Sequence, residues 1–194
     1  MSNRRLWLID GGYLYKSQGT IKDFQIDYIK LKDKLEIDGQ IWRSYYLNSV
    51  IHPMSSELES FHRWMQSAPP IGPKIIVRNY TIKKSTLDFA YCDDCEKNVS
   101  ISCPNCKGKL VKEHQKGVDV GIATLALANM PNIDELILSS GDSDLLDAME
   151  HLSQNGKKLS LAVFKNGVSP DLQSRADRIY WIDDFSDSVR RERS

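Results

Sequence analysis

The fold is decided by the stretch Leu6-Trp7-Leu8-Ile9-Asp10-Gly11-Gly12, in which a short apolar run ends at an acid followed by two glycines. Four consecutive apolar residues predict a strand that is buried on both faces of a parallel sheet. Further apolar runs alternate with segments of helix length, at 41–47, 74–77, 136–139, 159–164 and 179–182. This alternation is typical of βαβ units, so we expect an α/β domain around a mostly parallel central sheet.

The composition fits one such domain. With 194 residues, of which 41% are hydrophobic, the chain can bury a core. Its 26 Lys and Arg balance 26 Asp and Glu, so nucleic-acid binding would have to use local basic patches. No apolar run is long enough to cross a membrane, and the first residues lack the apolar stretch of a secretory signal. We therefore expect a soluble cytoplasmic protein with no membrane partner.

Helix signals divide the chain further. Asp27 is a predicted N-cap of a helix that Gly39 stops, and Ser56 to Glu59 forms a predicted capping box. Later helices are predicted at 117–129, 144–154 and 170–176. Hydrophobic periodicity is lost from 83 to 115, which predicts an insert within a main domain of residues 1–186. Residues 187–194 form a charged tail that we expect to fray.

Four acids are predicted to lie at one edge of the sheet. In right-handed βαβ units the carboxyl ends of parallel strands share an edge with the helix N-termini. Asp10 ends the first strand, Asp119 starts a helix, and Asp142 and Asp144 follow the fourth strand. Two carboxylates about 4 Å apart repel by roughly 4 kcal/mol, so a divalent cation such as Mg²⁺ is their natural partner.

Three of the four acids also have a purely structural interpretation. Asp119 and Asp144 occupy first helical turns, where acids complement the helix dipole, and Asp142 is a plausible N-cap. Asp10 differs from the other three, because no helix terminus is predicted immediately beside it. The conjunction of the four acids, rather than any one of them, favours a metal site.

Four cysteines form two C-x2-C pairs, Cys92 with Cys95 and Cys103 with Cys106, separated by seven residues. This spacing predicts a zinc ribbon in which four thiolates enclose a structural Zn²⁺, with iron as the minor alternative. A site with four protein ligands has no open position, so this metal would not be the catalytic one.

Four blocks of sequence stand out in order: Leu8-Ile9-Asp10-Gly11-Gly12-Tyr13-Leu14-Tyr15, Lys116-Gly117-Val118-Asp119-Val120, Leu138-Ser139-Ser140-Gly141-Asp142-Ser143-Asp144, and Ser169-Pro170-Asp171-Leu172 with Ala176-Asp177. Together they resemble the NYN domain of the PIN-like nuclease superfamily. Within that group the chain is most similar to the bacterial LabA-like proteins. The resemblance covers most of the chain and is interrupted by the cysteine insert.

The resemblance implies a PIN-like three-layer α/β/α sandwich that hydrolyses RNA with Mg²⁺ or Mn²⁺. Asp10, Asp119 and Asp142 would bind the metal, and Asp144 would be a further ligand or act through the others. Ser140 would hydrogen-bond the acids or a phosphate of the substrate. The first block departs from the family at Tyr13, where the usual residue is asparagine.

Basic residues in and around the insert are candidate RNA contacts. Residues 74–116 carry nine Lys or Arg against five Asp or Glu, interleaved with aromatic residues. Lys107, Lys109 and Lys112 would contact RNA phosphates, and Lys116 would neutralise a phosphate beside Asp119. The alternative is a ribbon that caps the sheet or mediates a homodimer, with its lysines solvated.

The sequence thus favours a metal-dependent ribonuclease that acts on RNA, with single-stranded RNA among the candidate substrates. One alternative is a non-catalytic RNA-binding or protein-interaction module that uses the zinc ribbon. Another is a phosphatase of small phosphorylated metabolites. The chain has no Walker loop, no G-x-G-x-x-G motif and no Ser-His-Asp arrangement.

Overall fold

The computed structural model describes residues 3–67, 74–114 and 117–192. The strands are β1 (Arg5–Asp10), β2 (Ile41–Val50), β3 (Ile76–Thr81), β4 (Lys83–Leu87), β5 (Phe89–Cys92), β6 (Lys97–Ser100), β7 (Leu110–His114), β8 (Glu135–Ser139), β9 (Lys158–Val163) and β10 (Arg178–Trp181). The α-helices are α1 (Gly11–Ser17), α2 (Tyr28–Leu35), α3 (Ser56–Gln66), α4 (Val118–Asn129), α5 (Leu146–Gln154) and α6 (Pro170–Arg175). Over these described ranges, no helix combines the length and apolarity that a membrane crossing requires.

The central sheet has six strands in the described residues, in the order β10-β9-β8-β1-β2-β3, and every neighbouring pair is parallel. The chain builds outward from β1 through β2 to β3 and then returns to place β8 on the other side of β1. The strand order therefore reverses between β1 and β8. Ligands of open α/β sheets bind at the carboxyl ends of the strands beside such a reversal.

Both faces of the sheet are buried, as β1 illustrates. Leu6 and Leu8 pack into one apolar cluster with α4 and α5, whereas Trp7 and Ile9 pack into a second cluster with α1, α2 and α3. None of these four side chains is exposed. The α/β class with helices on both sides of a parallel sheet is therefore confirmed, because a continuous apolar run satisfies both faces at once.

Local signals predict the starts of α2 and α3 with small errors. Asp27 caps α2 as predicted, since its side chain accepts hydrogen bonds from the backbone N–H groups of Ile29 and Lys30. Ser55, one residue before the predicted Ser56, caps α3 by accepting from the Leu58 N–H. The third strand begins and ends later than predicted, at 76–81.

Helix α1 was absent from the sequence-based prediction. It follows β1 directly, and its two leading glycines and seven-residue length give no apolar period that sequence alone could reveal. Leu14 anchors it by burying its side chain completely. The expectation that no helix terminus lies beside Asp10 was therefore wrong.

The insert between β3 and α4 consists of two small antiparallel pairs. β4 pairs with β7, and β5 pairs with β6 in a hairpin that carries the first cysteine pair. The second cysteine pair lies between β6 and β7.

The charged tail does not fray as expected over its described part. Val189 is fully buried, and its carbonyl oxygen accepts a hydrogen bond from the Asp27 N–H at 2.8 Å. Arg190 forms an antiparallel bridge with Ile26, and the Arg191 N–H donates to the Gln25 carbonyl at 2.8 Å. One apolar side chain and a short backbone pairing thus hold residues 187–192 against the domain.

Candidate active site

Asp10 lies at the carboxyl end of β1, where it also caps α1. Its Oδ1 accepts a hydrogen bond from the Tyr13 backbone N–H at 3.0 Å. Its Oδ2 accepts a hydrogen bond from the Ser140 hydroxyl at 3.3 Å. Two donors from different elements therefore fix the orientation of this carboxylate.

Ser140 connects Asp10 to the acid that follows β8. The Ser140 side chain is fully buried, and its Oγ accepts a hydrogen bond from the Asp142 backbone N–H at 3.3 Å while donating to Asp10. Asp142 in turn caps a short 3₁₀ turn, because its Oδ1 accepts from the Asp144 N–H at 2.9 Å. Of the two roles expected for Ser140, the hydrogen bond to the acids is the one observed.

Asp119 reaches the same edge of the sheet from the first turn of α4. The helix is preceded by Gly117, whose φ of 99° lies in the left-handed region that favours glycine. A Cβ at this position would lie 2.9 Å from Cδ1 of Tyr80 on β3. The close approach of Tyr80 therefore fixes where α4 begins and, through it, the position of Asp119.

The environment disfavours the charged form of two of these acids. Burial raises the pKa of Asp10, which hydrogen bonds from neighbouring groups partly offset, and the charge of Asp142 raises it further. Burial also raises the pKa of Asp119, and the charges of Asp142 and Asp10 add to this rise. In the part of the chain that the structure describes, none of these acids forms an ion pair with Lys or Arg.

Asp10, Asp119, Asp142 and Ser140 line one cavity of about 330 Å³, which we call the acid pocket. Asp144 does not line it, although its charge contributes to the raised pKa of Asp119. The acid pocket lies beside the reversal in strand order, where the topology predicts a ligand site.

Sequence reasoning missed three further residues of the acid pocket: Lys16, Asn48 and Ser49. Asn48 and Ser49 are the polar residues near the carboxyl end of β2, which extends to Val50 rather than ending at Leu47. In the sequence, the acid that follows the first apolar run indicates a site at the end of β1. The polar pair that follows the second apolar run is an equivalent signal for the end of β2. Lys16 had no comparable signal, because it depends on the unpredicted helix α1.

Tyr13 does not take over the role of a side-chain amide. Its hydroxyl donates to the Phe164 carbonyl oxygen at 3.4 Å, and burial raises its pKa to about 12. Its contribution to Asp10 is the backbone N–H. The position that is usually asparagine in the resembling family therefore orients Asp10 through the main chain.

The acid pocket has the donor chemistry for a hydrated divalent cation. Within residues 3–67, 74–114 and 117–192, no three His, Cys, Asp or Glu side chains lie close enough to bind one ion together. Mg²⁺, however, keeps several of its waters and is often bound by only one or two carboxylates. Two buried or half-buried carboxylates without a cationic partner fit that mode of binding.

Comparison with known proteins identifies the family of the chain. A family model described as the NYN domain matches residues 6–183. The chain belongs to the NYN domain family. NYN domains are in general nucleases of the PIN-like superfamily. No curated protein matches the chain.

Two solved structures resemble this NYN domain. A protein of unknown function, VPA0982 from Vibrio parahaemolyticus RIMD 2210633, has 20% sequence identity and a TM-score of 0.63, with 94% of each chain covered. The nicotinamidase SaPncA from Staphylococcus aureus has 13% identity and a TM-score of 0.36, with 90% of this chain and 92% of that chain covered. At 20% identity, the first likeness shows the fold alone.

The cysteines of this NYN domain lie in two separate turns. All four are free thiols, and the two pairs are not gathered into one group among the described residues. Within each pair the thiols are close. Hydrogen bonds from the Cys95 backbone N–H, its thiol and the Asp94 N–H lower the pKa of Cys92. Equivalent bonds, led by the Cys106 backbone N–H, lower the pKa of Cys103.

Three of the four lysines predicted to bind substrate do not line the acid pocket. Lys107, Lys109 and Lys112 are exposed on the insert, and none of them lines the pocket. Lys116 lies outside the described residues. Lys16, rather than any of these, is the lysine that lines the acid pocket of the NYN domain in the described chain.

Proposed function

We propose that this chain is a Mg²⁺- or Mn²⁺-dependent ribonuclease that hydrolyses phosphodiester bonds in the acid pocket. The observation that carries the proposal is the convergence of Asp10, Asp119 and Asp142 on one cavity, from three separate segments and without a cationic partner in the described chain. Membership of a family whose members are in general nucleases supports this class of reaction. The shared cavity of the three acids supports its place in the acid pocket.

Each residue of the acid pocket has a role in this proposal. Asp10, Asp119 and Asp142 would bind a hydrated divalent ion, one or two of them directly and the others through its waters, and the ion would supply Lewis-acid polarisation of the phosphoryl group and a lower pKa for water. Ser140 holds the carboxylate of Asp10 and the backbone of Asp142 in a fixed relation. Lys16 would bind a phosphate oxygen of the substrate.

The decisive experiment is cleavage of labelled RNA by the purified protein. We expect cleavage of RNA in Mg²⁺ or Mn²⁺, none in EDTA, and a large loss with Asp142→Asn. Asp147→Asn is the matched control, because Asp147 is an exposed acid of α5 that does not line the pocket. Failure to cleave RNA, DNA duplexes or single strands in every metal would contradict the proposal.

A second candidate function is RNA binding without cleavage through the insert. Phe89 and Tyr91 are 65% and 60% exposed and, as alternate residues of β5, lie on one face of the hairpin. Exposed aromatic rings beside lysines are typical of surfaces that stack unpaired bases. Charge reversal at Lys107, Lys109 and Lys112 is then expected to weaken RNA binding at low salt. Unchanged affinity would reject this role.

We also propose that the insert is a zinc ribbon. Glu96 and Lys107 each follow the second cysteine of a pair, and both adopt a left-handed backbone, with φ of 52° and 58°. The two turns thus share one geometry, which is what two halves of a Cys₄ site require. Elemental analysis is expected to find about one zinc per chain, lost in Cys103→Ser and retained in Ser102→Ala. A zinc-free wild-type protein would contradict the ribbon.

Assignment to the LabA-like subgroup, a cytoplasmic location and a homodimer mediated by the insert remain predictions from the sequence. The paired free thiols are consistent with a reducing compartment.

A further inference from the structure

A second and larger cavity adjoins the acid pocket. It has a volume of about 630 Å³ and lies between α1, α3 and the C-terminal segment. We call it the aromatic pocket, after the rings of Tyr15, Tyr28, Tyr46 and Phe61 that line it. Its volume is within the range of about 300–1,000 Å³ that small-molecule sites occupy.

The two cavities are neighbours. Gly12, Lys16, Asn48 and Ser49 line both of them, so the same short parts of α1 and β2 border the acids on one side and the aromatic rings on the other. A ligand that contacts these shared residues can therefore place one group in the aromatic pocket and a neighbouring group beside the acids.

The walls of the aromatic pocket combine flat apolar rings with positive charge. Tyr15 is 73% exposed, so most of its ring is free of protein contacts. The guanidinium group of Arg191 lies 5.8 Å from the centroid of the Phe61 ring and 5.4 Å from that of Trp64. Lys16 supplies a second cation at the junction with the acid pocket.

These charges favour a polyanion with planar apolar groups. Neither Lys16 nor Arg191 forms an ion pair with a residue in the described ranges, whereas Glu57 is the one acid that lines the pocket. Arg191 is also held in place, because its backbone N–H donates to the Gln25 carbonyl at 2.8 Å. Unpaired bases stack on aromatic rings and on guanidinium planes, and phosphates bind the cations beside them.

We propose that the aromatic pocket holds an unpaired nucleobase of an RNA strand whose neighbouring phosphate lies in the acid pocket. This inference rests on the proposed ribonuclease function and names its substrate as single-stranded RNA. A duplex does not fit, because its bases are stacked on each other and their faces are not available to Tyr15. The pocket would thereby select the strand and position the bond to be cleaved.

The test measures binding and cleavage separately. Binding is measured in the Asp142→Asn background with two probes, an oligoadenylate of about 12 nucleotides and an abasic ribose-phosphate strand of the same length. Tyr15→Ala is expected to weaken binding of the oligoadenylate by about 5- to 150-fold, which is the range for loss of one base stack. It is expected to leave the weaker binding of the abasic strand unchanged. Tyr15→Phe, which keeps the ring, is expected to restore oligoadenylate binding.

Ile37→Ala is the matched control, because Ile37 is a 72% exposed side chain that lines neither cavity. Melting temperatures of all variants establish that they are folded. Equal affinity of Tyr15→Ala and Ile37→Ala for the oligoadenylate would overturn the inference, as would equal weakening of both probes by Tyr15→Ala. Absence of cleavage by the wild type, with base-dependent binding retained, would instead contradict the ribonuclease function alone.

Discussion

The two ends of the central sheet treat acidic side chains in opposite ways. At the amino-terminal end, Glu135 begins β8 directly opposite Arg5 of β1, and the two form an ion pair at 3.0 Å. Ser160 donates a further hydrogen bond to Glu135 at 2.7 Å. Arg5 is fully buried and also donates to the Leu35 and Gly39 carbonyl oxygens, both at 2.7 Å. Both members of this buried pair are therefore satisfied.

At the carboxyl-terminal end of the same two strands, Asp10 and Asp142 have hydrogen-bond donors but no cation in ion-pair contact within the described chain. The raised pKa of Asp10 has burial as its largest cause. The cap on α1 explains a hydrogen-bond acceptor at this position, but a neutral asparagine would serve as a cap equally well.

The difference separates an acid that is paired within the fold from acids that are not. A buried charge is tolerated when it is paired and hydrogen-bonded, as Glu135 is. Asp10 and Asp119 have no such pair in the described chain, and their environment disfavours the charged form. The acid pocket is therefore a region in which carboxylates are held at some cost in stability.

The largest effect on stability is expected from Glu135→Ala, at the amino-terminal end of the sheet where Glu135 is paired with Arg5. This substitution leaves the fully buried guanidinium of Arg5 without its carboxylate, and breaking a buried pair in this way costs about 3–5 kcal/mol. Urea denaturation measures the loss. Replacing both partners by apolar residues, with Arg5→Met and Glu135→Leu together, is expected to cost much less. A small loss for Glu135→Ala alone would contradict the pairing.

At the carboxyl-terminal end of the sheet, where the acids have no ion pair in the described chain, Asp119→Asn is expected to lower activity without lowering stability. We expect RNA cleavage to fall by about a hundredfold or more, because even groups behind metal ligands contribute 10- to 100-fold to metal affinity or activity. The free energy of unfolding without metal is expected not to fall, since no ion pair is lost. A variant with full activity would remove Asp119 from the site, whereas a large loss of stability would make it structural.

The effect of a divalent metal on the melting temperature is a second test of whether the acids of the acid pocket bind an ion. A ligand that binds only the native state stabilises it by about 2.7 kcal/mol at a hundredfold excess over its dissociation constant. We expect Mn²⁺ or Mg²⁺ to raise the melting temperature of the wild type and to leave that of Asp10→Asn unchanged. A rise of equal size in both proteins would indicate that the ion binds elsewhere.

Without metal, Asp10→Asn is expected to raise the melting temperature. The folded-state pKa of Asp10 is raised, so the fold disfavours its charged form relative to the unfolded chain, and a neutral side chain removes that cost. Asparagine retains the cap on α1, because its side-chain oxygen accepts the Tyr13 N–H equally well. The control is Asp27→Asn at the cap of α2, for which we expect no gain.

The six strands of the central sheet and the shared edge of Asp10, Asp119 and Asp142 could be predicted from the sequence, whereas the four short strands of the insert could not. Apolar runs specify strands locally, and the handedness of βαβ units places strand ends and helix starts together. Lys16, Asn48 and Ser49 could not be assigned to the pocket, because their positions depend on the unpredicted α1 and on the true length of β2.

Asp10 was expected to differ from the other acids by the absence of a neighbouring helix, and this was wrong, because Asp10 caps α1. Asp10 and Asp119 instead share partial burial without an ion pair in the described chain, which only the packed structure reveals. Packing also decides the outcome for the tail. In residues 187–192 the burial of Val189 outweighs the preference of the charged side chains around it for solvent.

The smallest effect on cleavage is expected for Asp144→Asn. This substitution tests whether Asp144 belongs to the acid pocket. Asp144 is exposed, does not line the acid pocket, and acts on Asp119 only through its charge. Exposed charges interact weakly through solvent, so we expect cleavage to change by about threefold or less. Steady-state cleavage at low and high salt measures this, and the difference should shrink as salt screens the charge. A hundredfold loss that persists in high salt would instead make Asp144 a metal ligand, and the acid pocket would then have to include the 3₁₀ turn that Asp142 caps.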